Sequence, residues 1–332
     1  NPADAAIEGK GVRLGNVEAM LANGAHDNRD SEQPYFLAPA DLQALKACGV
    51  TFVSSMLERV IEEQAKGDPN KAAEIRNAIG AEIGQSLADI APGSEEAARV
   101  KAVLEERGLW SQYLEVGIGP DAEVFTKSQP MAAVGIGAEI GIHPKSSWNN
   151  PEPEIVLAIA PDGRIVGACL GNDVNLRDFE GRSALLLGKA KDNRASCAVG
   201  PFIRLFDDGF NLGHVRAMDI SLWVSGSDGF ELQGSSSIAE ISRDLADLAT
   251  YACGPHNHFP DGLLLFTGTM FAPTEDRDAP GQGFTHHLGD IVTIANPLLG
   301  SLTNQINHTD KIPPWTFGVG ALLANLSARN LL

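Results

Sequence analysis

Apolar residues recur at a helical period through the first third of the chain. Phe52, Val53, Met56, Leu57, Val60 and Ile61 predict a helix over 51–66. Asp68-Pro69 supplies a cap and a first-turn proline for a second helix carrying Ile75, Ile79, Ile83 and Leu87. Ser94, followed by Glu95 and Glu96, opens a third that stops at Gly108. An amphipathic stretch beginning at Pro39-Ala40-Asp41 and stopping near Gly49 reads as a further helix. These helices are expected to act as scaffold and to carry no chemistry.

The pattern changes from Glu115 onward. Short apolar runs separated by Gly, Pro, Asn and Asp predict strands over 123–127, 131–134, 155–160, 165–170, 202–206, 217–224, 263–267 and 291–294. One helix interrupts them over 236–252, with Ile238, Ile241, Leu245 and Leu248 on one face. The expected fold is α+β and β-rich. It has a smaller, mainly helical N-terminal region over 1–114 and a mixed-sheet domain over 115–332.

A length of 332 residues suits one large or two unequal domains. The formal charge of -18 argues against nucleic acid and anionic membrane surfaces as partners. No apolar run approaches the ~20 residues of a membrane span, and no signal-like segment opens the sequence. Cys48, Cys169, Cys197 and Cys253 are widely spaced, without a Cys-x-x-Cys pair. They read as reduced core thiols of a cytoplasmic protein.

The candidate chemistry lies in Asn149-Asn150-Pro151-Glu152-Pro153-Glu154. Alternate residues of an extended chain point the same way, so Glu152 and Glu154 share one face. A turn at Pro161-Asp162-Gly163 would fold the next run back as a hairpin and bring Asp173 beside the pair. Three carboxylates at a buried strand end repel unless a cation or protons intervene. Oxygen-only ligands suit Mg²⁺, Mn²⁺ or Ca²⁺ and disfavour zinc. Two other leads fail: Gly135-Ile136-Gly137 lacks the third glycine of a dinucleotide loop, and Ser225 lacks the first glycine of a nucleophile elbow.

Asp173 sits in Asn172-Asp173-Val174-Asn175-Leu176-Arg177-Asp178, followed by Lys191 and Gly200-Pro201. Thr267-Gly268-Thr269, Leu288-Gly289-Asp290 and Leu299-Gly300-Ser301-Leu302-Thr303-Asn304 come later. Together with Glu152-Pro153-Glu154, this set resembles the fumarylacetoacetate hydrolase family over about residues 115–307. The resemblance implies a rolled, mixed β-sheet catalytic domain with Mg²⁺ (or Mn²⁺) held by Glu152, Glu154 and Asp173. It implies 2-oxo acid substrates chelated through carboxylate and C2 carbonyl, and a homodimer or homotetramer. Lys191 would place positive charge beside the reacting centre, with Lys189 as its competitor. Glu123 matches a position where longer members carry an acidic group, and would be a fourth ligand, a water-mediated ligand or the base. Lys127, Arg177 and Thr269 are candidate substrate contacts, Arg177 having a structural pair with Asp178 as its alternative.

The family's hydrolase carries a water-activating His shortly after the first acidic group. This chain has Ser128-Gln129-Pro130-Met131 there, and the next histidine, His143, is a candidate catalytic residue on a Gly-rich loop. His256, His258, His286 and His287 read as loop or surface residues. The long polar loops over 136–150 and 271–287, with Asn149, Glu275, Asp276 and Arg277 to meet sugar hydroxyls, look like the sugar-acid branch of the family. That branch includes the 2-keto-3-deoxy-D-pentonate (arabinonate and xylonate) dehydratases. The expected reaction is dehydration to 2-oxoglutarate semialdehyde. Hydrolysis of a C–C bond in a 2,4-dioxo acid, or sugar-acid binding without catalysis, are the alternatives.

Overall fold

The computed structural model describes residues 13–25, 27–79, 90–106, 110–271, 273 and 275–332. Two mixed sheets dominate. The larger runs in the order β2 (Glu123–Ser128), β1 (Ala44–Gly49), β11 (Leu263–Phe266), β5 (Pro153–Ile159), β6 (Ile165–Asp173), β8 (Cys197–Leu205). The smaller runs β10 (Glu231–Ser237), β9 (Asp219–Ser225), β12 (Ile291–Asn296), β13 (Gly300–His308), β3 (Glu139–Ile142). A short ladder joins β4 (Asn149–Asn150) to β7 (Asn175–Leu176). Pairing is antiparallel except for β1 with β11 and β13 with β3.

The sheets meet across one core. Ile155, Leu157 and Leu170 of the larger sheet share a cluster with Leu222, Val224, Ile294 and Leu302 of the smaller. The opposite face of the larger sheet is also covered: Leu45, Ala47, Val156, Cys169, Val199 and Phe266 form a second cluster. Strand β5 is therefore buried at all seven positions, which is why its sequence is a continuous apolar run rather than an alternating one. All four cysteines are buried and unpaired. No helix among the described residues is long and apolar enough to cross a membrane.

Helices α1 (Val53–Ala65), α2 (Pro69–Ile79) and α3 (Glu95–Glu106) fall where the periodicity puts them. Ile83, Leu87 and the stop at Gly108 lie outside the described residues. The stretch ending at Gly49 is not a helix but strand β1, inserted between β2 and β11. Leu45 and Ala47 face one core cluster while Cys48 faces the other, a period of two that the alanine-rich composition disguises. Part of the segment before residue 115 is therefore built into the larger sheet. The expected helix over 236–252 is also shorter. The serine run continues β10 to Ser237, which pairs with Asp219, and helix Leu245–Ala252 begins only where the Asp244 side chain accepts from Ala246 N at 2.8 Å. Of the run 131–134, only Val134 makes a bridge, to Ala198. Strands β10 and β13 carry too many polar residues to stand out in the sequence, and β3 is only four residues long.

Candidate metal centre

Strands β5 and β6 pair with Pro153 opposite Asn172 and Glu154 opposite Gly171. Asp173 N donates to Glu152 O at 3.1 Å, and Glu152 N donates to the Asn172 side chain at 3.1 Å. The hairpin thus returns Asp173 to the mouth of β5. Ligand-capable oxygens of Glu152, Glu154 and Asp173 all lie within 4.8 Å of one another, and the three residues are buried. Burial pushes the Glu154 carboxyl well above the ordinary range, with Asp173 and Glu152 adding to the shift. A divalent cation would relieve that repulsion.

The cage is held from several sides. Gly268 N donates to Glu154 Oε2 at 2.6 Å. Gly268 adopts φ +93, and a Cβ there would come within 2.0 Å of Thr51 Oγ1, so glycine is required. Lys191 Nζ reaches Glu152 Oε2 at 2.5 Å and Asp173 Oδ2 at 3.1 Å. Lys127 lies behind Asp173, fully buried, with Nζ 2.8 Å from Oδ1. It also donates to Val174 O, Lys191 O and Ser196 Oγ. Burial disfavours the Asp173 charge, yet Lys127 and Lys191 hold its pKa below the usual carboxylate range. Three buried carboxylates with oxygens this close together fit a hard cation.

Glu152, Glu154, Asp173, Lys191 and Gly268 floor a cleft lined also by Gly49, Ser55, Arg59, Glu123, Glu180 and Thr269. Glu123 stands on β2 opposite Gly49 of β1, where a Cβ would lie 1.9 Å from its Oε2. Burial and the nearby Glu180 charge push its pKa up to about 7. Thr269 faces the cleft, and its Oγ1 accepts from Phe271 N at 3.1 Å.

Other candidates lie elsewhere. Lys127 cannot meet a substrate carboxylate, because it is enclosed behind the cage. Arg177 is buried and pairs not with Asp178 but with Glu62 at 2.6 Å and Glu58 at 3.2 Å, its guanidinium over the Trp148 ring. Asp178 instead accepts from Ser146 Oγ and Ser147 N. Arg277 is spent on Asp290 and Asp228. His143 does not line the cleft; its Nδ1 accepts from Lys145 N, and its ring meets Phe179 edge-on at 5.5 Å. Lys189 contacts that same His143, 3.4 Å away, so Lys191 is the lysine of the cage. His286 is not at the surface but buried against Asp290.

The α1 helix, expected to be inert, supplies a group that touches the cage. Arg59 binds Glu152 Oε1, Glu62 Oε2 at 2.8 Å and Glu180 Oε2 at 3.3 Å. Ser55, Arg59 and Glu62 recur at i, i+4 and i+7 and are all buried. That polar stripe beside Met56 and Val60 was the available signal.

A buried, oxygen-only cluster of carboxylates at the end of a hairpin in a two-sheet body could hold a hard cation. The chain belongs to the fumarylacetoacetate hydrolase family: the model of that family's C-terminal domain matches residues 114–307. It is 30% identical over 190 residues to 2-dehydro-3-deoxy-D-arabinonate dehydratase of Saccharolobus solfataricus, covering 57% of this chain and 60% of that protein. It is 29% identical over 202 residues to a probable 2-keto-3-deoxyxylonate dehydratase of Haloferax volcanii, covering 61% and 66%. The chain thus spans less than two thirds of the length of these relatives. Among solved structures, a hexagonal crystal form of 2-keto-3-deoxyarabinonate dehydratase superposes with a TM-score of 0.52 at 29% identity, covering 59% of this chain and 66% of that one. A 2-keto-3-deoxy-D-arabinonate dehydratase complexed with magnesium and 2,5-dioxopentanoate shares the fold, with a TM-score of 0.61 at 20% identity over 92% of this chain and 87% of that one.

Proposed function

We propose that the protein is a magnesium-dependent hydro-lyase that dehydrates a 2-keto-3-deoxy-D-pentonate to 2,5-dioxopentanoate, the semialdehyde of 2-oxoglutarate. The observation that carries this reading is the joining, in one cleft, of the Glu152, Glu154 and Asp173 cage with Lys191 and Glu123. Glu152, Glu154 and Asp173 would hold the ion, and Mg²⁺ so bound supplies Lewis acidity at the 2-oxo group. Glu123, with its pKa near about 7, is suited to remove a C3 proton at neutral pH. Lys191 carries a positive charge that stabilises negative charge growing on the C2 oxygen. No histidine lines this cleft among the described residues, which favours loss of a hydroxyl over activation of a water. The names of the relatives support the same substrate class.

The test is a product assay over a panel of 2-keto-3-deoxy acids and 2,4-dioxo acids, with and without chelator. The expected product is a semialdehyde from the 3-deoxy-pentonate, lost in EDTA and restored by Mg²⁺. Release of pyruvate from a 2,4-dioxo acid, with no semialdehyde from any deoxy acid, would assign the hydrolytic reaction instead.

A further inference from the structure

A base and a charged stabiliser leave the dehydration incomplete, because hydroxide is a poor leaving group without a proton donor. Glu180 is placed to supply one. It ends the short helix Arg177–Glu180, whose first residue is locked by Glu62 and Glu58. That anchor holds the turn, and the Glu180 side chain lines the same cleft as Glu123 and the cage. Glu180 is buried, and its Oε2 accepts no hydrogen bond although Arg59 Nη1 is 3.3 Å away. A buried carboxyl oxygen without a hydrogen-bond partner, in a cleft lined by other carboxylates, has a reason to carry a proton.

We propose that Glu180 is the general acid of this site, protonating the C4 hydroxyl as it leaves while Glu123 takes the C3 proton. This rests on the dehydratase reading above. Burial raises the Glu180 pKa; Arg59 and Lys191 pull it down and Glu62 and Glu152 push it up, with a net upward shift. The two carboxyls account for every proton. Glu123 removes a C3 proton, and the C3–H electron pair moves to the C2 oxygen near Lys191. The pair returns to re-form C2=O, C3=C4 forms, the C4–O bond breaks, and the Glu180 proton makes the leaving group water. The Glu180 carboxylate then takes a C5 proton, and electrons pass through C4 and C3 to the C2 oxygen. Glu123 returns its proton to C3 as the carbonyl re-forms, leaving a C5 enol that tautomerises to the aldehyde. Both residues end as they began, and one water is lost.

The test separates the two carboxyls in time. In deuterated water with Mg²⁺, Glu180→Gln should still exchange the C3 protons of the 3-deoxy acid, read by NMR. Its semialdehyde formation should fall by ~10²–10⁴-fold, the usual worth of a positioned acid. A 4-deoxy-4-fluoro substrate, whose fluoride needs no strong acid, should be eliminated by Glu180→Gln at close to the wild-type rate. A Glu180 that only neutralises Arg59 would lose exchange, fluoride release and aldehyde formation together, and that result overturns the proposal. So does a Glu180→Gln enzyme that dehydrates at the wild-type rate. If Glu180→Gln does not fold, Glu180→Asp keeps an acid and gives the same comparison: hydroxyl loss slowed more than fluoride loss supports the assignment, and equal slowing overturns it. Wild-type enzyme that makes no semialdehyde removes the dehydratase reading and the acid with it, whereas competent wild-type with an unaffected variant removes only the acid.

Discussion

Replacing Lys127 by Met tests whether this lysine binds substrate or supports the cage. Met keeps the length of the side chain and removes the charge and the donors. The substitution leaves Asp173 in the protein interior without a cation 2.8 Å from its Oδ1, and Val174 O without its Lys127 donor at 3.2 Å. Removing one partner of a buried ion pair costs about 3–5 kcal/mol. In a chain of this size each kcal/mol moves the melting temperature by about 2–3 °C, so a drop of roughly 6–15 °C is expected. Weakened support of a metal ligand should also loosen Mg²⁺ by about 10–100-fold. The assay is a thermal melt in chelator, followed by a Mg²⁺ titration and steady-state kinetics at saturating metal. A substrate contact makes the opposite forecast: an unchanged melt, unchanged Mg²⁺ affinity and a raised KM. That second pattern would refute the buried-support reasoning.

Three other outcomes follow from the same geometry. Glu154→Gln replaces a carboxyl that burial, Asp173 and Glu152 push toward its protonated form by a neutral amide of the same shape. Its melt in chelator should be unchanged or higher, with the advantage growing as pH rises above the ordinary carboxylate range, while the Mg²⁺-induced stabilisation and turnover both disappear; a variant that still shifts on Mg²⁺ addition contradicts the cage. With Glu123 at about 7, kcat/KM should climb with unit slope as pH rises toward that value, and Glu123→Gln should abolish both turnover and the rise. Because that pKa is raised on folding, the stability it contributes is complete below the unfolded value and is lost as pH rises through about 7; a flat rate profile between pH 5 and 8 would remove Glu123 as the base. His143→Ala should leave kcat and KM within about twofold of wild type, since the ring contacts Lys145 N and Phe179 outside the cleft.

The clustering of Glu152, Glu154 and Asp173 was legible because each of its parts is local. A strand fixes which way Glu152 and Glu154 point, and a tight turn at Pro161-Asp162-Gly163 fixes the hairpin that returns Asp173. The arginines were not legible, because their partners lie far along the chain: Arg177 meets Glu62, and Arg277 meets Asp228. Nothing in a window of residues around either arginine distinguishes a substrate contact from a buried counter-ion. Strand β1 failed for a different reason. Ala44, Ala47 and Cys48 are small enough to suit either period, and only pairing with β11 and β2 decides the matter.

The failures over Arg177 and strand β1 both involve the chain before residue 114, and they change how the site is divided. The residues matched by the family begin at 114 and supply the cage, Lys191, Glu123 and Glu180. The segment before them was expected to be scaffold, yet it contributes Cys48 and Gly49 from β1 and Ser55 and Arg59 from α1 to the cleft wall. Arg59 joins Glu152 of the cage to Glu62 and Glu180, so α1 cannot shift without disturbing a candidate metal ligand and the carboxyl assigned here as the acid. Glu152 and Glu62, two buried anions held by one guanidinium, are costly to part from it, since each would be left without its charge partner. The matched region therefore provides the carboxylate cage, Lys191, Glu123 and Glu180, and the preceding helix and strand fix how two of its carboxyls are held.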